Sequence, residues 1–326
     1  MLRRTLLAMS LLCWAGAAQA GTVVDATGRS VEVPERIARV LPAGPPAAIL
    51  LAALAPDLML GWTSPVSDNA RALLAPEAGK LAQVPRLTGR DDVVDKIVAL
   101  KPDLILDYGT IGPRYIDLAR EAQQRTGIPT LLLDGSLAEI PHTFRVLGSI
   151  LHREDRAETL ARFAEALLAS PKKRNAPLRV VCARGADGLT VVAPGTDLAE
   201  TFTRAGWQLV APAGQGPSRQ ASLDDIRTLD PDVIVFSDPA MRATLAQSEA
   251  WKSLRAVLER HAFVAPNMPF GWLDEPPSIN RLLGFAWLEG SDPRTLAALF
   301  NAVVYGRVLT ASQLDTLLAG VNSLQP

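Results

Sequence analysis

The stretch DKIVALKPDLIL, Asp95 to Leu106, decides how the rest of the chain is read, because DDIRTLDPDVIV, Asp224 to Val235, repeats it. In each copy an acid opens the segment and apolar residues follow at helical spacing (Ile97 and Leu100; Ile226 and Leu229). A Pro-Asp turn and a run of branched aliphatics complete it. An apolar run without alternation, Leu104 to Leu106 or Val233 to Val235, is the pattern of a strand covered on both faces, as in parallel sheets. The copies begin roughly 130 residues apart, beyond a solenoid period of about 20 to 50 residues and suited to two similar lobes. Two lobes imply a crevice between them, where small ligands lodge. The plainer alternative is one α/β domain holding two helix-turn-strand units with the common Pro-Asp turn.

The first 20 residues carry Arg3 and Arg4, an apolar stretch from Leu6 to Ala17, and Ala18-Gln19-Ala20 before Gly21. That is the pattern of a secretory signal. Its apolar part is too short for a stable membrane span, and no later stretch reaches 18 apolar residues. A lipid anchor on Cys13 competes with this reading, but Leu12 precedes the cysteine where a small residue is wanted, so a soluble exported protein is expected. The mature chain then holds one cysteine, Cys182, in the strand-like LRVVCARG, and an inert core thiol is expected there. Stability must come from packing, and 326 residues with 48% hydrophobic composition suffice for two ordinary cores. A net charge of −1, with basic runs confined to Lys172-Lys173-Arg174, excludes a nucleic-acid binder.

Along the chain, residues 22–33 alternate apolar and polar around Thr-Gly and predict a hairpin. Strand-then-loop units follow at Ile37–Leu41 into Pro42-Ala43-Gly44-Pro45-Pro46, and at Leu58–Gly61 into Trp62-Thr63-Ser64. Others are Leu104–Leu106 into Asp107-Tyr108-Gly109-Thr110 and Thr130–Leu133 into Asp134-Gly135. In open α/β sheets such carboxyl-end loops form the binding edge. His142 to Ser170 reads as one long connecting helix of roughly 40 Å with an irregularity at Gly148. The expected division is a signal at 1–20, a first lobe at 21–140, the connector at 141–170 and a second lobe at 171–326. The second lobe would hold strands near Leu178–Cys182, Leu189–Val192, Trp207–Val210 and Ala262–Ala265, and a loop from Asn267 to Pro277. Helices at Ser278–Leu288, Pro293–Phe300 and Ala311–Ala319 would close it.

The Asp-Lys-Ile-Val-Ala-Leu-Lys-Pro-Asp segment and its copy, the signal, the long helix and Pro-Pro-Ser-Ile-Asn-Arg-Leu-Leu-Gly resemble the helical-backbone (class III) substrate-binding proteins of ABC importers. That family binds vitamin B12, ferric siderophores, haem and in some members molybdate. The resemblance implies an α/β fold of two Rossmann-like lobes with central parallel sheets, joined by one long α-helix, with the ligand cleft between them. It also implies a monomeric periplasmic carrier with no cofactor, which delivers a small-molecule metal chelate, foremost a ferric siderophore, to an ABC permease dimer in the inner membrane. Asp95 and Asp224 match surface carboxylates that dock into arginine pockets of the permease; charge pairs at two distant points set register and speed encounter. The ordinary reading of each is a first-turn helix acid.

Cleft candidates from the same reading are Pro42, Trp62, Leu87, Arg90, Tyr108, Arg184, Trp272 and Arg281. Guanidinium groups suit the carboxylate or catecholate oxygens of an anionic chelate, and Tyr108 could stack on a ligand or coordinate it. Leu87 stands where the B12-binding protein carries an aromatic, while Trp272 matches its second cleft aromatic, which argues mildly against a corrinoid. A site for free zinc or manganese is not expected, since the three histidines His142, His152 and His261 are dispersed. No nucleophile elbow, His-Glu-x-x-His or phosphate loop points to an enzyme, and Gly185-Ala186-Asp187-Gly188 reads as a hairpin turn.

Overall fold

The structure is a computed structural model that describes residues 20–169 and 176–321. The expected signal segment up to residue 19, with Cys13, and the Lys172-Lys173-Arg174 triplet lie outside the described residues. Antiparallel strands β1 (Ala20–Val24) and β2 (Ser30–Pro34) form the predicted hairpin. Its turn is built on Asp25, whose carboxylate accepts from Thr27 and Arg29, and Arg29 Nη2 also donates to the Thr130 carbonyl at 2.8 Å, docking the hairpin on the first lobe.

The first sheet is parallel, in the order β3 (Val40–Pro42), β4 (Leu104–Gly109), β5 (Thr130–Asp134). Expected strand Leu58–Gly61 contributes only a bridge from Met59 to Val40. The second sheet contains β6 (Leu178–Arg184), β7 (Thr190–Val192), β8 (Trp207–Leu209), β9 (Ser218–Gln220), β10 (Val233–Phe236) and β11 (Ala262–Val264). It runs β11-β10-β6-β7-β9, with β8 also beside β6. This sheet is mixed rather than purely parallel. The Gly185 to Gly188 turn, with φ of 81° and 69° at its ends, folds β7 straight back on β6, and a connection that short permits only antiparallel pairing.

The repeated Pro-Asp unit does the same structural work in both sheets. Asp103 Oδ2 accepts the Ala38 and Arg39 N–H groups at 2.8 and 2.9 Å, while the Arg39 guanidinium donates to the Leu100 and Lys101 carbonyls that end the preceding helix. In the second sheet Asp232 Oδ2 accepts from Arg179 N at 2.9 Å, and Arg179 donates to the Leu229 carbonyl at 2.7 Å. Each turn also places a non-glycine residue in the left-handed region, Lys101 at φ 48° and Asp230 at φ 41°. Thus one acid starts the neighbouring strand and one arginine ends the helix, which satisfies backbone groups that would otherwise be orphaned.

The long connecting helix is a correction. Residues Ile140–Leu151 and Glu154–Leu168 form two helices, broken at His152, whose φ of 53° lies in the left-handed region. They fold back on each other so closely that a Cβ on Gly148 would sit 2.2 Å from that of Ala157. Arg156 braces this hairpin: it donates to the Ala53 carbonyl at 2.9 and 3.1 Å, and to the Val303 and Val304 carbonyls at 2.7 Å each. These carbonyls end helices Pro45–Leu54 and Pro293–Val304.

Strand alternation divides the core. Leu104, Leu106, Val180, Cys182, Val233 and Val235 face one large cluster shared with the hairpin and the terminal helices. Leu41 and Ile105 face a separate cluster under the first sheet, and Val181, Ala183, Ile234 and Phe236 face another under the second. Both sheets are therefore covered on both faces, as their continuous apolar strands require. Burial pushes the Cys182 thiol up to about 12, which makes it the inert core cysteine the sequence suggests.

Candidate ligand-binding cleft

The loops at the carboxyl ends of β3, β4, β5 and β6 converge with the Asp274–Pro277 segment around a crevice of two chambers, about 400 and about 510 Å3. In the first chamber Gly44, Leu87, Tyr108 and Gly135 come from one lobe, and Arg184, Asp274 and Arg281 from the other. Four of the sequence candidates, Leu87, Tyr108, Arg184 and Arg281, therefore meet there, and Trp62 lines the second chamber.

Three candidates lie elsewhere. Trp272 is fully buried in the core with its Nε1 donating to the Met268 carbonyl at 3.1 Å, because the chain tucks the indole inward from its loop. Arg90 lies at the surface at the head of helix Asp91–Ala99, held by Asp92 at 3.0 Å, and lines neither chamber. Pro42 ends β3 inside the core; the following residues Ala43 to Pro46 line the crevice instead.

Arg281 is not a free cation. It is 1% exposed, donates to the Asp197 carbonyl at 2.8 Å and to the Gly135 carbonyl, and lies 3.5 Å from Glu200 Oε2. One guanidinium thus fastens the loop after β5 to helix Asp197–Arg204 of the second lobe. Thr110 donates to Asp197 and Ser278 donates to the Pro46 carbonyl at 2.8 Å, so the seam is polar on both sides. Arg184 pairs with Asp274. The Tyr108 hydroxyl is buried without a protein partner, and burial raises its pKa well above the usual phenol value. It remains a neutral phenol, fitted to donate a hydrogen bond rather than to bind metal as phenolate.

Arg86 was missed among the cleft candidates. It is exposed on the first chamber with no hydrogen bond or ion pair among the described residues, beside Gly44, where a Cβ would lie 3.8 Å from Arg86 Nε. Helix Pro45–Leu54 also starts at this chamber, but Pro45 and Pro46 have no N–H to offer an anion, so its dipole has few donors and the charge falls to Arg86. Asp107 faces Arg86 across the chamber. Burial raises its pKa, opposed by the Tyr108 N–H at 2.9 Å and by the Arg86 charge. Both residues adjoin named candidates: Asp107 precedes Tyr108 at the end of β4, and Arg86 precedes Leu87, which the resemblance singled out.

No curated protein matches the chain. Among solved structures it is similar to an ABC transporter solute binding protein of Sulfurospirillum deleyianum at 24% identity, covering 91% of this chain and 98% of that one, with a TM-score of 0.80. The molybdate-bound periplasmic protein MolA of Haemophilus influenzae is 17% identical, with coverage of 89% and 99% and a TM-score of 0.67. The vitamin B12 binding protein BtuF of Vibrio cholerae is 21% identical, with coverage of 81% and 97% and a TM-score of 0.58. These likenesses establish the two-lobed α/β fold. Residues 61–269 match the model of the periplasmic binding protein family, so the chain belongs to that family and is a binding protein.

Proposed function

We propose that the protein captures an anionic metal chelate of the ferric-siderophore class in the periplasm and delivers it to an ABC permease in the inner membrane. The observation that carries the ligand class is Arg86, a guanidinium with no hydrogen bond or ion pair among the described residues, on a chamber that Arg184 enters from the opposite lobe. Planar donors on two sides suit the fanned oxygens of a carboxylate or catecholate chelate. Chambers of about 400 and about 510 Å3 match an organic chelate better than a bare oxyanion. The leader pattern of residues 1–20 supports export.

Delivery rests on Asp95 and Asp224. Each is exposed on the helix that opens a Pro-Asp unit, and the Asp224 carboxylate pairs with Arg227 three residues on. The division at residues 140 and 170 and action as a monomer belong to the same reading.

A thermal-shift panel of ferric siderophores, cobalamin, haem, molybdate and tungstate tests it. A ligand at 100 times its Kd stabilises the native state by about 2.7 kcal/mol. A ferric siderophore is expected to raise Tm; a response to molybdate or cobalamin alone would overturn the ligand class.

A further inference from the structure

The second chamber, the larger of the two, plays no part in the charge argument. It meets the first at Pro45, Glu275 and Pro276 and draws its walls from both lobes. Trp62, on one side, packs against Phe270, on the other, with ring centroids 5.5 Å apart. The Trp62 Nε1 is occupied by the Ala78 carbonyl at 2.9 Å, so the indole offers this chamber apolar surface. Among the described residues Glu275 is the only charged one lining it.

Glu275 occupies the shared wall with φ at 63°, a region that a non-glycine residue enters at a cost and that is concentrated at functional sites. Among the described residues its carboxylate is held only by the Ser237 hydroxyl at 3.5 Å, whereas the neighbouring Asp274 is neutralised by Arg184. The second-chamber wall therefore presents one carboxylate and no cation among the described residues, while the cations Arg86 and Arg184 belong to the first chamber.

We propose that the two chambers are one bipartite site for an amphipathic ligand: an anionic head lies against Arg86 and Arg184, and an apolar aryl or alkyl arm fills the second chamber. This rests on the capture function proposed above and adds the shape and polarity of the ligand. Glu275 sets the direction of entry, because a head placed in the second chamber would meet a like charge with no cation to offset it. The buried Thr63 hydroxyl, which lines that chamber and has no partner, gives the arm one hydrogen-bonding point. Removing roughly 100 Å2 of apolar surface from water tightens binding by roughly sixtyfold.

The test titrates the full mature chain with two ferric complexes sharing one anionic head, one bare and one carrying an aryl-alkyl arm. Anilinonaphthalene sulfonate, an anion on an apolar body, serves as a metal-free probe. The armed complex is expected to bind at least tenfold tighter than the bare one. Ser64→Trp, which fills the second chamber, is expected to erase that difference and the dye's fluorescence gain while leaving the bare complex unaffected. Val66→Trp narrows the same chamber from a neighbouring position should the first variant fold poorly. Equal affinity for both complexes, or dye binding that is absent or indifferent to these variants, overturns the bipartite site and leaves the chelate reading standing. Dye binding sensitive to Ser64→Trp with no binding of either complex supports the bipartite site and removes the chelate reading.

Discussion

Glu200, on a helix of the second lobe, accepts from the Leu137 N–H of the first at 2.7 Å and from the Ala138 N–H at 3.2 Å. The same carboxylate lies 3.5 Å from Arg281, which donates to the backbone of both lobes. Arg281→Met leaves the Asp197 and Gly135 carbonyls without this donor, while Glu200 keeps its two N–H donors, and is expected to lower stability by about 2 kcal/mol. Urea denaturation of the ligand-free protein reads this as a lower midpoint. Arg281→Lys should recover little, because a single ammonium cannot span the same acceptors.

Among the described residues Arg86 makes no hydrogen bond or ion pair and has only the charge of Asp107 near it, so its removal is expected to act on binding far more than on folding. Arg86→Gln is expected to weaken an anionic chelate by about tenfold or more, the worth of one charge-assisted hydrogen bond, with only a small fall in Tm of the free protein through Asp107. Calorimetric titration alongside a melt separates the two effects; a fall in Tm without a change in Kd would remove Arg86 from the site.

Asp107 titrates against the fold. Its carboxyl is raised above the usual range chiefly by burial, so the native state holds the proton more tightly than the unfolded chain. Stability contributed by the neutral form is complete below the unfolded carboxyl pKa and is lost as pH rises through the native one. Asp107→Asn keeps an oxygen for the Tyr108 N–H and is expected to raise Tm of the free protein at pH 7, with the gain vanishing near pH 3. Melts across that range check it, and a gain that grows toward acid would contradict the sign.

Gly148 is fixed by the close approach of two helices. Gly148→Val drives side-chain atoms into Ala157 and is expected to cost about 1 to 3 kcal/mol through separation of the hairpin. Far-UV circular dichroism during urea unfolding reads the loss.

Asp95 and Asp224 are exposed, and their joint replacement by Lys reverses charge without entering the core. Uptake in cells is expected to fall to background while ligand affinity of the purified double variant stays unchanged. Uptake at the normal rate would end the docking assignment.

Much of the fold was legible because Leu104–Leu106 and Val233–Val235 could only be strands covered on both faces, and because the Pro-Asp turns recur at one spacing. The break at His152 was not legible: Leu151-His152-Arg153 holds neither glycine nor proline, and the tertiary contact at Gly148 decides where the helices turn back. Strand β9, Ser218-Arg219-Gln220, is polar and takes its conformation from pairing with β7 rather than from its own propensity. In the cleft, strand-end position found Tyr108, and the resemblance to the B12-binding protein found Leu87. Side-chain direction, which no single sequence encodes, sent Trp272 inward and left Arg86 facing the chamber.

Arg156 and the backbone atoms it holds share no residue with the lining of either chamber. Arg281, by contrast, joins the two lobes from within the wall of the first chamber. Retargeting such a carrier to a new solute can therefore leave the Arg156 brace untouched but must preserve Arg281, which divides the lining into replaceable positions and one that the frame cannot spare.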